Sequence, residues 1–184
     1  MAKNIIVSNR LPIQLTKLDN SFEFTPTSGG LATGMNSVHK GQESLWIGWP
    51  GIDNDDIDKK TWAPLKKSLK REGYFPVSLN HKEIEDFYYG LSNKSLWPLF
   101  HYFIEFSVFD EKQWKSYQEV NQKFADSVLS NIEEGDTVWI HDYQLLLCPK
   151  MIKDVRPDVT IGFFLHIPFR VSYTHLTLPT ILLV

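Results

Sequence analysis

The stretch that most constrains the fold is residues 136–169, DTVWIHDYQLLLCPKMIKDVRPDVTIGFFLHIPF. Residues 137–140 (TVWI) are β-branched or aromatic throughout, the composition of a strand buried on both faces. His141-Asp142-Tyr143 interrupts it, and residues 144–155 carry apolar side chains at helical spacing. Arg156-Pro157-Asp158 is a stop, because proline cannot continue a helix and restricts the residue before it. Residues 160–165 form a second apolar run, ending in His166-Ile167-Pro168-Phe169. Two strands joined by a helix are predicted to be parallel, with a right-handed crossover, which places the chain in the α/β class. Asp142 and His166 then sit just beyond the carboxyl ends of their strands, the edge where open α/β sheets bind ligands. A helix cap and a satisfied buried imidazole are the ordinary fates of such residues. Their matched positions favour a site.

The amino terminus repeats the pattern. Residues 4–8 (NIIVS) read as a strand, and Arg10 follows at its carboxyl end. A guanidinium suits a phosphate there, since its planar fork donates two parallel hydrogen bonds and stays charged. Residues 22–24 pair as a hairpin with 11–15. Gly29 and Gly30, in TSGGLATG, stand at the mouth of an expected helix whose free N–H groups could meet an anion. The segment is neither GxGxxG nor a P-loop. Further strands are expected at 45–49 and 74–79, and an amphipathic helix at 62–71 with Trp62, Leu65 and Leu69 inward. The acidic run 53–58 (DNDDID) lacks EF-hand spacing and reads as a solvated loop. A helix over 81–89 should stop at Gly90. Pro98 requires a helix to begin or kink near Trp97. Asp110 and Gln113 have the form of a capping box, opening a helix with a core stripe of Trp114, Tyr117, Val120, Phe124, Val128 and Ile132, which Gly135 ends.

A net charge of −3 over 184 residues gives no electrostatic case for nucleic acid or an anionic membrane as partner. The single cysteine, Cys148, cannot form an internal disulfide, which suits a reducing, cytoplasmic setting; it reads as packing. No apolar run has the length of a signal core or a membrane span. No zinc or carboxylate-pair motif is present.

Six blocks in order carry a resemblance: IIVSNRLP (5–12), GGLATG (29–34), LWIGWPG (45–51), FYYGLSNKSLWPLFHY (87–102), VWIHDYQLL (138–146) and IGFFLHIPF (161–169). The chain resembles the amino-terminal half of trehalose-6-phosphate synthases, retaining glycosyltransferases that join UDP-glucose to glucose 6-phosphate. The resemblance implies a Rossmann-like parallel sheet flanked by helices over residues 1–169, the first domain of a two-domain GT-B enzyme. It implies that Arg10, helped by the Tyr88 hydroxyl, holds the phosphate of glucose 6-phosphate, and that Trp97 and Asp142 position the acceptor sugar. Gly29 and Gly30 would approach the UDP-glucose diphosphate through their backbone, and His166 would contact and stabilise the transferring glucose. By residue type alone, Tyr88 and Trp97 read as core. No cofactor beyond the donor substrate UDP-glucose, and no metal, is implied. The implied partners are the two substrates, a carboxyl-terminal Rossmann-like domain and, in full-length form, a homo-oligomer; the 184-residue chain alone is expected to be inactive. Two alternatives stay open: a non-catalytic sugar-phosphate-binding module, and a related synthase with another acceptor, such as a glucosylglycerol-phosphate synthase.

Residues 170–184 depart from the blocks. They show no helical period, Pro179 interrupts them, and they read as non-native. If so, truncation after Phe169 changes folding stability by less than about 1 kcal/mol in denaturant melts and lowers aggregation. A loss of several kcal/mol would make the tail a true structural element.

Overall fold

The computed structural model describes residues 2–17, 22–27, 30, 34–35 and 44–169. The expectations for Gly29 and for residues 170–184 lie outside the described residues. Five parallel strands form the main sheet: β1 (Asn4–Arg10), β4 (Ser44–Trp49), β5 (Tyr74–Pro76), β6 (Thr137–His141) and β7 (Thr160–Phe164). Their spatial order is β5-β4-β1-β6-β7. The chain winds outward from β1 in one direction and then, from β6, in the other, the doubly wound Rossmann-like pattern with its switch point between β1 and β6. The expected hairpin is a separate two-stranded antiparallel sheet, β2 (Ile13–Lys17) with β3 (Phe22–Pro26).

The sheet is buried on both faces, as parallel sheets must be. Ile5 and Val7 of β1 point to one side with Ile47, Val138, Ile140 and Ile161, and pack on the buried stripe of α4 (Glu111–Leu129). Ile6 points to the other side, with Trp46, Leu65, Leu69 and Tyr74. Leu65 and Leu69 come from α1 (Lys59–Arg71), whose partly buried Trp62 packs on the same cluster.

Several boundaries differ from the sequence reading, each for a visible reason. The acidic run is not an idle loop. Asp58 caps α1 by accepting from the Lys60 and Thr61 N–H groups, so the helix starts at Lys59. Asp53 caps a short 3-10 turn over Asn54–Asp56 and meets His81 Nδ1 at 3.1 Å. β5 ends at Pro76, with only Leu79 returning in an isolated bridge to Asp53. Gly90 does not stop a helix. Helical backbone runs on through α2 (His81–Glu83), a π-helix (Ile84–Leu96) and α3 (Trp97–Phe100), with Pro98 tolerated in the first turn of α3. Gly90 is small because α4 crosses it: an added Cβ would lie 2.7 Å from Gln113 Cδ. Gln113 therefore packs there instead of folding back, and Asp110 alone caps α4, accepting from the Lys112 and Gln113 N–H groups. Tyr117, Val120, Phe124, Val128 and Ile132 are buried, whereas Trp114 at the helix start is 42% exposed.

The expected helix over 144–155 begins late. Residues Tyr143–Leu145 form a 3-10 turn, and α5 (Cys148–Val155) follows. The backbone between them is satisfied by two side chains of α4. Tyr117 donates to the Tyr143 carbonyl (2.7 Å) and accepts from the Leu146 N–H (3.1 Å). Asn121 donates to the Gln144 carbonyl (3.0 Å) and accepts from the N–H groups of Leu147 and Cys148 (both 3.2 Å). Cys148 is buried, and its thiol is pushed up by desolvation, as befits a packing residue.

At the carboxyl end of β1 an extra residue enters the ladder. Val7 pairs with Ile47, but Arg10, not Asn9, pairs with Trp49. This bulge lies directly over Gly48, where an added Cβ would stand 2.8 Å from the Leu11 nitrogen and 3.0 Å from the Ser8 oxygen. Those are backbone atoms that cannot step aside. Gly48→Ala is therefore expected to destabilise the fold by about 2 kcal/mol or more in a urea melt. A neutral substitution would show that the bulge is not held as described.

Candidate active site

The bulge decides where Arg10 goes. Ser8 fixes it by donating from its hydroxyl to the Arg10 carbonyl (2.7 Å) while accepting from Trp46 Nε1 (2.7 Å). The exposed Arg10 guanidinium lies 5.1 Å from the Trp49 ring centroid and over Gly51, where an added Cβ would stand 1.9 Å from Nη2. Gly51 has φ of +82°, so its backbone calls for glycine, and a side chain there would displace the Arg10 guanidinium. Among the described residues no carboxylate pairs with Arg10. A guanidinium held on an aromatic face without a counter-ion is a ready anion site.

Arg10 lines a cavity of about 280 Å³ at the switch point, together with Asn9, Gly30, Tyr88, His141 and Asp142. β1 and β6 each deliver the polar residues at their carboxyl ends to it. Tyr88 comes from the π-helix, half-buried against Trp49 (ring centroids 6.0 Å apart), and its hydroxyl has no hydrogen-bond partner among the described residues. Its ring is partly core, and its edge faces the cavity.

Asp142 holds an unusual backbone. Its φ of 76° and ψ of 167° fall in a region ordinarily left to glycine, at a cost of about 1–3 kcal/mol. Three hydrogen bonds offset this. Its N–H donates to the Phe164 carbonyl (2.8 Å), and its Oδ1 accepts from the Tyr143 N–H (3.0 Å) and the His166 N–H (3.2 Å). Oδ2 has no partner among the described residues. Oδ1 thus fills the expected cap role, while Asp142 also lines the switch-point cavity.

His166 is exposed and lines a second cavity, of about 290 Å³, with Gly30, Gly34, Met35, Trp139, His141 and Phe164. Gly30 and His141 border both cavities, so the two adjoin. Gly30 is exposed and helical, and a Cβ there would meet nothing within 4 Å among the described residues. Trp97 is not drawn in. It is 42% exposed, stacks on His101 (centroids 4.1 Å apart) and lies outside the lining of either cavity. The core reading of Trp97 fails, and the structure does not bring Trp97 to the wall of either cavity.

Sequence reasoning passed over two lining residues. Asn9 is buried, and its Oδ1 has no partner among the described residues. His141 is 1% exposed, its Nδ1 lies 3.0 Å from His166 Nε2, and its own Nε2 is unpartnered. Burial, and then the neighbouring His166, push the His141 imidazole down to about 4. Both were visible as polar residues breaking an apolar strand, in Ser-Asn-Arg and His-Asp-Tyr. Among the described residues no three of His, Cys, Asp or Glu are grouped to hold a metal, and no helix is long and apolar enough to cross a membrane.

The His141 shift makes stability depend on pH. Below the ordinary value of 6.5, unfolded His141 takes up a proton that the folded ring refuses until about 4. Stability therefore falls as pH falls across that window, by about 2 kcal/mol between pH 7 and pH 5 from this group. Denaturant melts of His141→Phe should show a shallower drop over the same range; an equal drop would mean that folded His141 titrates normally.

Comparison with known proteins agrees with this geometry. The profile of glycosyltransferase family 20 matches residues 2–182, past Phe169 and into the segment set apart above. The alpha,alpha-trehalose-phosphate synthase [UDP-forming] of Botryotinia fuckeliana (strain B05.10) is 43% identical over 181 residues, covering 95% of this chain and 34% of that protein. Among solved structures, the alpha,alpha-trehalose-phosphate synthase (UDP-forming) of Burkholderia xenovorans in complex with glucose-6-phosphate superposes with a TM-score of 0.70 at 28% identity, covering 93% of this chain and 35% of that one. An E. coli trehalose-6-phosphate structure bound with UDP-2-fluoro glucose gives 0.72 at 31%, covering 97% and 36%. The chain spans about a third of the length of the curated relatives it matches. Its sheet is the amino-terminal Rossmann-like unit of the GT-B fold. With nearly its whole length matched, the chain belongs to glycosyltransferase family 20.

Proposed function

We propose that this chain supplies the acceptor side of a UDP-glucose-dependent synthase that makes trehalose 6-phosphate from glucose 6-phosphate with retention of configuration. The observation that carries it is Arg10, an arginine without a carboxylate partner among the described residues, fixed over Trp49 and Gly51 at the mouth of the switch-point cavity. The phosphate of glucose 6-phosphate would take the guanidinium and the Tyr88 hydroxyl. A sugar hydroxyl would take the open Oδ2 of Asp142. The adjoining cavity, bordered by Gly30 and His166, would receive the transferring glucose and diphosphate. Supporting this division, relatives with the same fold were solved with glucose-6-phosphate and with UDP-2-fluoro glucose. The uridine and most donor contacts would come from the two thirds of the relatives' length that this chain does not span.

The chemistry needs little acid–base machinery. A nucleoside diphosphate is already a good leaving group, so a protein carboxylic acid is not needed to expel it, unlike glycoside hydrolysis. The departing phosphate can itself accept the acceptor's proton on the same face of the sugar, which retains configuration. What remains for the protein is to hold the acceptor and to stabilise charge. Asp142 does the first from a rigid, backbone-anchored turn, and His166 the second; neither acts as a nucleophile.

In the full-length gene product, Arg10→Ala should raise KM for glucose 6-phosphate at least about tenfold, since a charge-assisted phosphate contact is worth roughly 1.5–3 kcal/mol. Arg10→Lys should recover part of this, keeping the charge without the fork. Unchanged kinetics in Arg10→Ala would refute the phosphate assignment. Preference for glycerol 3-phosphate over glucose 6-phosphate, read as UDP release, would move the protein to a different acceptor. No UDP release with either would favour a non-catalytic sugar-phosphate-binding module.

A further inference from the structure

His141 and His166 form a pair whose proton bookkeeping has a consequence for the donor side of the cleft. His141 is the last residue of β6, its ring buried beside Trp139, Phe164 and His166. Its Nδ1 meets His166 Nε2 at 3.0 Å, and one of the two nitrogens must donate. If His166 donated, neutral His141 would carry its proton on Nε2, where no acceptor exists among the described residues. That would strand a buried N–H, and orphaned buried donors are rarer than under-satisfied acceptors. If His141 donates from Nδ1, only a lone pair is left unpartnered at its Nε2. The second arrangement is the cheaper one. His166 then accepts at Nε2, so its single proton resides on Nδ1.

We propose that His141 is a positioning residue that fixes His166 as the Nδ1–H tautomer, so that the exposed ring presents a hydrogen-bond donor to the cavity it lines. A histidine in water carries its proton mostly on Nε2, and this pairing reverses that preference. The backbone is held as well, since the His166 N–H donates to Asp142 Oδ1 at 3.2 Å. Asp142 therefore orients the main chain of His166 while His141 sets its ring. Burial keeps His141 neutral, with its imidazole pushed down to about 4, which a fixed donor of this kind requires. A fixed N–H suits an oxygen acceptor without a proton to give: a sugar oxygen or a phosphoryl oxygen of a sugar nucleotide. Which of these it meets rests on the functional reading above; the tautomer does not.

Ring-nitrogen NMR of ¹⁵N-histidine-labelled protein at neutral pH tests the tautomer without any assay. The 184-residue chain should show His166 with a protonated Nδ1 and a bare Nε2. In His141→Phe, His166 should revert to an Nε2–H majority. In His141→Asn, whose amide can donate from near the Nδ1 position, it should stay Nδ1–H. In the full-length gene product, His141→Phe should lower kcat by roughly ten- to a hundredfold, as loss of an orienting partner does, and His141→Asn should recover most of it. A wild-type His166 protonated on Nε2, or a tautomer unmoved by His141→Phe, overturns the proposal. Absence of turnover with any sugar nucleotide and phosphorylated acceptor would instead overturn the functional reading, leaving the tautomer assignment intact.

Discussion

The site depends on one constraint: β1 lies between two parallel neighbours, β4 and β6, that continue the sheet in opposite directions. Parallel strands buried on both faces need continuous apolar runs, and Ile5, Ile6 and Val7 are all 0% exposed. Such a strand can carry polar residues only where it leaves the sheet. All five strands point the same way, so those exits share one edge. At the switch point the connecting helices diverge, and the edge opens into a cavity. Asn9 and Arg10 of β1 are neighbours there of His141, the last residue of β6, and of Asp142 just after it, because Val7 and Ile140 are paired in the sheet.

Around that constraint the protein commits its polar interactions to rigidity. The bulge at Ser8–Arg10 is locked from three sides: by the Ser8 hydroxyl, by Trp46 Nε1 and by the absence of a side chain at Gly48. The turn after β6 is held by Tyr117 and Asn121, reaching across from α4 to satisfy five backbone groups between Tyr143 and Cys148. That scaffolding supports the strained backbone of Asp142. The proposed function, which works by positioning, would need its groups held to a fraction of an ångström, and these are built on strand ends braced by a helix.

Much of this was legible in the sequence. The core strands, their parallel sense and the placing of Arg10, Asp142 and His166 on one edge follow from apolar runs and the β–α–β connection. What escaped depends on contacts between distant residues. Gly90 resembles a helix stop, but its smallness answers to Gln113 on another helix. Residues 144–147 have helical periodicity, yet side chains of α4 take the hydrogen bonds a helix would have used. Trp97 and Trp114 are apolar enough for a core and end up exposed, since composition does not say which face a neighbour covers. His141 reads as a strand breaker, and its pairing with His166 appears only once β6 and β7 are aligned.

The central claim is that the switch-point cavity between β1 and β6 is a sugar-phosphate site. A crystal structure of the protein grown with glucose 6-phosphate tests it most directly. The account predicts the phosphate within hydrogen-bond reach of the Arg10 guanidinium and the Tyr88 hydroxyl, with a sugar hydroxyl on Asp142 Oδ2. Phosphate bound instead at the lysine-lined surface of Lys66, Lys70 and Lys123, with the switch-point cavity empty, would contradict it.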